Sequence, residues 1–192
     1  MIPSRRIFED HAVDYDRWFD EHRDAYEAEV RVLRDAVPGT GRGLDVGAGS
    51  GQFAVPLGIC SGIDPSPGLG RIAKQRGIEM VVGEGEHLPY RNGSFDYVLM
   101  MTVICFLKDP VLVFREVYRV LRPGGILVTG FIERGGEFSL QDPGESGRGQ
   151  FLRYAKFRTA GEVRGFFRNA GFVNISTVTK ARGICVMSGQ RV

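Results

Sequence analysis

Cysteine is scarce and scattered. Cys60, Cys105 and Cys185 form no CxxC pair, which argues against a disulfide framework and against a thiolate zinc site. Long apolar runs are missing as well. The longest near-continuous one, Val98 to Leu107, is too short to span a bilayer. Around Arg5, Arg6, Glu9 and Asp10 there is no apolar stretch of the signal-peptide kind. Neither sign of charge dominates. A formal net charge of +2 makes no case by itself for nucleic acid or a membrane surface as partner. The last acidic residue is Glu162, and Arg164, Arg168, Lys180, Arg182 and Arg191 follow it; this tail reads as a solvated basic face. These absences place the chain, as an expectation, in a reducing cytoplasm, with no metal and no membrane partner. Cys60 and Cys185 sit in apolar runs and read as core thiols.

Glycine, by contrast, is abundant. The chain has 27 among 192 residues, roughly twice the usual share, so tight turns and loops close to a ligand are expected. The length suits one domain, 1–192, that holds a core without staples. Tyr15, Trp18, Phe19, His22, Tyr26, Val30 and Leu33 recur at helical spacing, which predicts one amphipathic helix ending before Pro38-Gly39. Short apolar strands are predicted over 43–47, 59–64, 78–82, 95–101 and 126–132. Short or capped helices separate them: one near 52–57, one opened by Ser66-Pro67, and one opened by Asp109-Pro110 and stopped by Pro123-Gly124-Gly125. Thr159 and Glu162 form a capping box. Stretches 172–178 and 184–188 read as a closing hairpin. Residues 133–154, rich in Gly, Ser and charge with Pro143, read as a mobile loop beside a substrate. Alternating strands and helices predict a mostly parallel sheet with helices on both faces and a ligand site at the carboxyl strand ends.

Three segments at such ends carry chemistry. Asp45-Val46-Gly47-Ala48-Gly49-Ser50-Gly51 is a strand, then alternate glycines, then a helix start, whose free N–H groups suit an anionic ligand end. A carboxylate at Asp45 would repel a pyrophosphate but suit an ammonium, which favours an amino-acid-like ligand. Asp64, ahead of Pro65, can accept from both hydroxyls of a ribose; the plainer alternative is a turn and helix cap. In Gly83-Glu84-Gly85-Glu86-His87-Leu88-Pro89-Tyr90, an acid can accept from an exocyclic adenine amine. A nicotinamide enzyme would want GxGxxG, which this chain lacks.

With Ser94-Phe95-Asp96-Tyr97-Val98, Leu107-Lys108-Asp109-Pro110 and Arg119-Val120-Leu121-Arg122-Pro123-Gly124-Gly125 following in order, the chain resembles the class I S-adenosylmethionine (SAM)-dependent methyltransferases. Within them it is similar to the ubiquinone and menaquinone biosynthesis methyltransferases. The resemblance is dense over 43–131. It implies a Rossmann-like three-layer α/β sandwich: a mostly parallel seven-stranded sheet with a C-terminal antiparallel hairpin. It also implies SAM as methyl donor, S-adenosylhomocysteine as product, no metal, and a small-molecule methyl acceptor.

Gly47, Ala48, Gly49 and Gly51 would cradle the methionine part, with Asp45 near its ammonium. Asp64 and Pro65 would meet the ribose, and Glu84, Gly85 and Glu86 the adenine. Met100, Met101 and Thr102 would line the methyl-donor end. Residues 1–38 would form a lid helix, whose Tyr15 and Trp18 fold over the cofactor; the plainer reading is core packing. Arg153 and Tyr154 are expected to face the acceptor. Where the family often has Leu-His-His, this chain has Ile104-Cys105-Phe106, so no histidine base is expected there and the catalytic residues stay unassigned. His22 and His87 read as structural or solvent-facing. A non-catalytic SAM-binding subunit or sensor and an RNA-directed methyltransferase are the alternatives. Nucleic acid is disfavoured, because the Pro-Pro-aromatic motif of amino-methylating DNA and RNA enzymes is absent. The number of subunits is left open.

Overall fold

A computed structural model of the chain describes residues 3–136, 139, 149–181 and 183–192. Five strands run parallel: β1 (Gly43–Val46), β2 (Ser61–Asp64), β3 (Glu79–Val82), β4 (Phe95–Met101) and β5 (Leu121–Ile132). After them come β6 (Val173–Ala181) and β7 (Ile184–Gln190), antiparallel to each other, with β7 antiparallel to β5. The order across the sheet is β3-β2-β1-β4-β5-β7-β6. This is the expected Rossmann-like sandwich with its antiparallel hairpin.

Strand periodicity builds the two faces. Alternate residues of β4 point opposite ways. Tyr97, Leu99 and Met101 pack under α2 (Ala12–Glu21) and α3 (Arg23–Ala36), while Val98 and Met100 pack under α5 (Pro110–Val120) and α7 (Ala160–Ala170). Fully buried Leu99 and Phe114 sit one in each layer, and each such side chain contributes roughly 1.5–3 kcal/mol by leaving water. β1 is buried along its whole length, as a central parallel strand must be.

The expected caps are present. Ser66 Oγ accepts from Leu69 N–H to open α4 (Pro67–Gln75), and Asp109 caps α5. Thr159 and Glu162 make the reciprocal box on α7. Several expectations need correction. The single N-terminal helix is three: α1 (Pro3–Asp10), α2 and α3. Its breaks fall at His11 and His22, whose backbones leave helical values, and the His22 ring stacks on Trp18 at 4.5 Å; an apolar stripe continues across such bends, so periodicity cannot reveal them. The 52–57 helix is only a turn and a 3-10 segment, Val55–Leu57. β5 begins at Leu121 rather than 126, because Phe95 pairs with Leu121 before an irregularity shifts the register. Cys60 is exposed, not a core thiol, whereas Cys185 is buried and burial pushes its thiol up to about 11. The ends of the 133–154 stretch are structured: Glu133 bridges to Arg158, and Gly149–Leu152 forms the short α6. Its centre, with Pro143, lies outside the described residues.

No helix among the described residues is long and apolar enough to cross a membrane, and no group of His, Cys, Asp or Glu among them could hold a metal ion.

Candidate functional site

Strand order reverses between β1 and β4, so a crevice opens beyond their carboxyl ends. There the loops after β1, β2, β3 and β4 meet around one cavity, with α1, α2 and α6 closing its mouth.

The turn after β1 is tight. Gly47 has φ +76°, and a Cβ there would run into the Val103 side chain. At Gly49 (φ +55°) a Cβ would stand 3.4 Å from the Tyr15 ring. The loop therefore lies close under Tyr15 and under the segment after β4. Asp64, at the end of β2, braces it: one carboxylate oxygen accepts from Gly49 N–H at 2.9 Å, the other from Ser66 N–H at 2.9 Å. Asp64 and Pro65 form one wall, and Glu84, Gly85 and Glu86 after β3 form the next. Arg119 holds that second loop in place. It grips Glu116 and donates to the carbonyls of Leu88 and Tyr90 at 2.9 and 2.7 Å.

Asp45 sits behind the glycine turn, 2% exposed. Its Oδ1 has no hydrogen-bond partner among the described residues. Burial, and then the nearby negative charge of Asp64, push its carboxyl up to about 8. A buried carboxylate without a cation is costly, and a ligand cation arriving above the turn would relieve that cost.

At the end of β4, Thr102 takes φ +56°, which is uncommon and strained for a β-branched residue. Its hydroxyl is buried without a partner among the described residues. Thr102 lines the cavity with Met101, Val103 and Phe106.

Phe8, Tyr15, Phe106 and Phe151 close the mouth. Phe8 stacks on Phe151 at 5.1 Å and meets Tyr15 and Phe106 edge-on at 5.3 and 5.1 Å. The space left inside is about 120 Å³, below the roughly 300 Å³ where pockets for drug-sized ligands begin. These rings must part for a nucleoside-sized ligand to enter.

Two latches hold the helices that carry them. Glu9 on α1 accepts from Ser66 Oγ at 2.6 Å and from Gly68 N–H at 2.8 Å, at the start of α4. These bonds hold its carboxyl below the usual range. Asp16 on α2 forks with Arg76 at 2.6 and 2.9 Å, and Arg76 also donates to Ser50 of the glycine turn. Burial works to raise the Asp16 carboxyl, but its hydrogen bonds to Arg76 and Gln52 outweigh it, and the net shift is downward. Glu9→Gln is expected to speed ligand release by about five- to twentyfold, since a charge-assisted cap is exchanged for a neutral one. Stopped-flow displacement of the bound ligand reads this, and an unchanged off-rate would show that α1 does not gate the mouth.

Of the residues predicted from sequence, the cavity wall holds Tyr15, Gly47, Gly49, Asp64, Pro65, Glu84, Gly85, Glu86, Met101 and Thr102. Ala48, Gly51, Met100 and Trp18 stand behind it. Ala48 and Trp18 join the helix-side core, where Trp18 packs on Phe19 and His22. Gly51 faces Ala73 and Ile78, and Met100 lies in the opposite core layer. Arg153 and Tyr154 do not face the cavity: Tyr154 is exposed, with Arg153 against its ring, and the wall is instead Phe151 and Leu152. Phe8 and Phe151 were missed. Phe8 stands seven residues before Tyr15, a helical spacing that was a usable signal even though the two sit on separate helices, α1 and α2, but nothing in the sequence sets Phe151 beside it.

Residues 44–129 match a methyltransferase domain family. An uncharacterised protein of Methanocaldococcus jannaschii is 36% identical over 169 residues, 88% of this chain and 82% of the relative. A solved structure from Thermotoga maritima, a SAM-dependent methyltransferase described as a "possible histamine N-methyltransferase", shares 32% identity and a TM-score of 0.89. The match covers 98% of this chain and 100% of that one. A Staphylococcus aureus demethylmenaquinone methyltransferase is 29% identical over 141 residues, 64% of this chain; the match spans only 57% of that enzyme's length.

Proposed function

Because the chain belongs to the SAM-dependent methyltransferases, we propose that it transfers the methyl group of SAM to a small organic acceptor, with the cavity above β1 and β4 as the donor site. The observation that carries this reading is the buried Asp45, whose Oδ1 has no hydrogen-bond partner among the described residues, behind a glycine turn that the Asp64 carboxylate braces at the end of the next strand. The first suits the ammonium of an amino-acid moiety and the second a ribose. A dinucleotide would set a pyrophosphate above Asp45, which repulsion disfavours.

The residues fit the ligand part by part. Gly47 and Gly49 leave the backbone open to a methionine chain. Asp64 and Pro65 stand at the ribose. Glu84, Gly85 and Glu86 stand at the adenine, with Glu84 able to accept from its amine. The faces of Tyr15, Phe8 and Phe106 favour a positively charged sulfur. When bound, SAM supplies a methyl on a sulfonium, whose carbon–sulfur bond breaks as the acceptor's lone pair forms the new one.

The protein's own task is then alignment and exclusion of water, and the aromatic closure of Phe8, Phe106 and Phe151 serves both. His22 and His87 are exposed and stand off the described cavity wall, so neither is assigned as a base. The Thermotoga relative makes small amines the acceptors to screen first.

Calorimetry with S-adenosylhomocysteine and with NADH tests the donor site. Micromolar binding of S-adenosylhomocysteine and none of NADH is expected; the reverse would overturn the reading. Label transfer from methyl-tritiated SAM to a small amine separates this function from a non-catalytic subunit, and transfer only to RNA would replace the small acceptor.

A further inference from the structure

Thr102 follows β4 in a conformation that its side chain resists. Its φ of +56° is a left-handed value that a β-branched residue rarely takes. Among the described residues other than glycine only Asn174 shares that region, and asparagine tolerates it. Three contacts hold the segment there. The Thr102 N–H donates to the Gly130 carbonyl at 2.7 Å. The Thr102 carbonyl accepts from the Cys105 thiol at 3.5 Å. Next in the chain, Val103 fills the space where a Cβ on Gly47 would stand. The main chain is thereby fixed over the glycine turn.

The hydroxyl takes no part in this. It is shut off from solvent and has no hydrogen-bond partner among the described residues, although a buried hydroxyl left unpaired is costly. Strain of this kind persists only where the surroundings enforce it, and it gathers at functional sites. Thr102 lies in the wall of the donor cavity between Met101 and Val103. Around it that wall is apolar: Phe106 stands on the same segment, with Phe8 and Phe151 across the mouth. No histidine lines the described cavity wall, and an amine with a free lone pair needs no base.

We propose that the Thr102 hydroxyl accepts a hydrogen bond from the acceptor's nucleophilic nitrogen, and that the enzyme therefore methylates primary and secondary amines but not tertiary ones. The proposal rests on the methyltransferase reading above and narrows its acceptor. A hydroxyl oxygen has two lone pairs and a hydrogen that rotates aside. It can take up an N–H and leave the nitrogen's own lone pair for the methyl carbon. As the nitrogen–carbon bond forms and the carbon–sulfur bond breaks, positive charge passes from sulfur to nitrogen. The N–H then becomes a stronger donor, so its bond to Oγ tightens in the transition state. The methylated nitrogen afterwards gives up one proton to water. A tertiary amine has no hydrogen to offer and leaves Oγ unpaired beside it. The rings at the mouth give an aryl body faces to pack on.

The test follows transfer from labelled SAM to phenethylamine and tryptamine, each as the free, N-methyl and N,N-dimethyl amine, at about pH 9, where a fraction of each amine is uncharged. Melting temperature and S-adenosylhomocysteine affinity are measured alongside. Wild type should turn over primary and secondary amines and disfavour tertiary ones by at least about 20-fold in kcat/KM. Thr102→Val keeps the shape and removes the hydroxyl. It should lower kcat for primary and secondary amines by about 10- to 100-fold with KM changed less than threefold, and so erase most of the preference. Thr102→Ser should recover most of the lost rate. Thr102→Val should melt no lower than wild type, because an unpaired polar group is exchanged for an apolar one, and should bind S-adenosylhomocysteine within twofold. An unchanged preference in Thr102→Val would show that crowding excludes tertiary amines, and overturns the proposal. So does a lower melting temperature that accompanies the lost rate, since that marks a structural role. Equal transfer to tertiary amines by the wild type overturns it too. Failure of every amine while S-adenosylhomocysteine still binds does the same and leaves the methyltransferase reading standing. Loss of S-adenosylhomocysteine binding by the wild type would instead defeat the donor-site reading, and this proposal with it.

Discussion

Asp45→Asn is expected to yield a protein that is more stable and binds its cofactor poorly. The carboxyl of Asp45 titrates near 8 in the folded state because it is buried and close to Asp64, against about 3.9 when unfolded. A folded pKa raised above the unfolded one means that the folded state holds the proton more tightly. Its stabilising contribution is fully present below pH 4 and is lost as pH rises toward 8. At neutral pH the ligand-free protein therefore bears a penalty that an amide would not. Asn at this position should stabilise the apo protein at pH 7 by on the order of 3 kcal/mol, or roughly 5–10 °C in Tm for a domain of this size.

Binding runs the other way. If the ligand ammonium sits above the glycine turn as proposed, it needs the carboxylate, so S-adenosylhomocysteine affinity in the wild type should climb by up to about tenfold per pH unit between pH 6 and 8, with release of a proton. It should level off where the ligand's own amine loses its charge. In Asp45→Asn that slope should vanish and Kd should rise about 10- to 100-fold, the worth of a charge-assisted hydrogen bond. Thermal melts at pH 5, 7 and 8.5, with calorimetry in two buffers of different ionisation enthalpy, measure both halves. A variant that binds as well as the wild type, with the same pH slope, would remove Asp45 from the ammonium site.

Asp64→Ala is expected to weaken S-adenosylhomocysteine binding by about 100-fold or more, because on the proposed reading it removes the acceptor for two ribose hydroxyls. It should also destabilise the apo protein, in contrast to Asp45→Asn. The Gly49 and Ser66 N–H groups both donate to this carboxylate, and leaving buried donors unpaired costs about 1–3 kcal/mol each. Asp64→Asn keeps one oxygen and should fall between. Adenine alone should bind the Ala variant and the wild type alike, since Glu84 and its loop do not depend on Asp64. A Kd unchanged in Asp64→Ala, with Tm lowered, would reduce Asp64 to a brace of the glycine turn.

The two carboxylates show how far the sequence could be read. Asp45 and Asp64 were each legible from a local pattern: a strand that ends in glycines, and a strand that ends in Asp-Pro-Ser. Their coupling was not, because two charges on neighbouring parallel strands shift each other only after β1 and β2 pair. The caps at Ser66, Asp109 and Thr159 were legible for the same local reason: each needs only its next three residues. The closure of the site was not. Phe8, Phe106 and Phe151 come from three distant segments, and no spacing in the chain joins them. Trp18 and Tyr15 share a stripe, yet only Tyr15 reaches the cavity, because the helix turns Trp18 one step round into the core.

By itself the sequence determined what short-range chemistry can specify: the alternation of buried strands and amphipathic helices, the glycine turn, the caps, and the placing of acids at strand ends. Only the tertiary structure decided what depends on long-range contacts. These are the fourfold aromatic mouth, the latch from Glu9 to the start of α4, and the raised carboxyl of Asp45. Backbone conformation and capping depend on neighbours within a turn, so residue order encodes them directly. Burial, and the electrostatics that follow from it, depend on which surfaces the fold brings face to face.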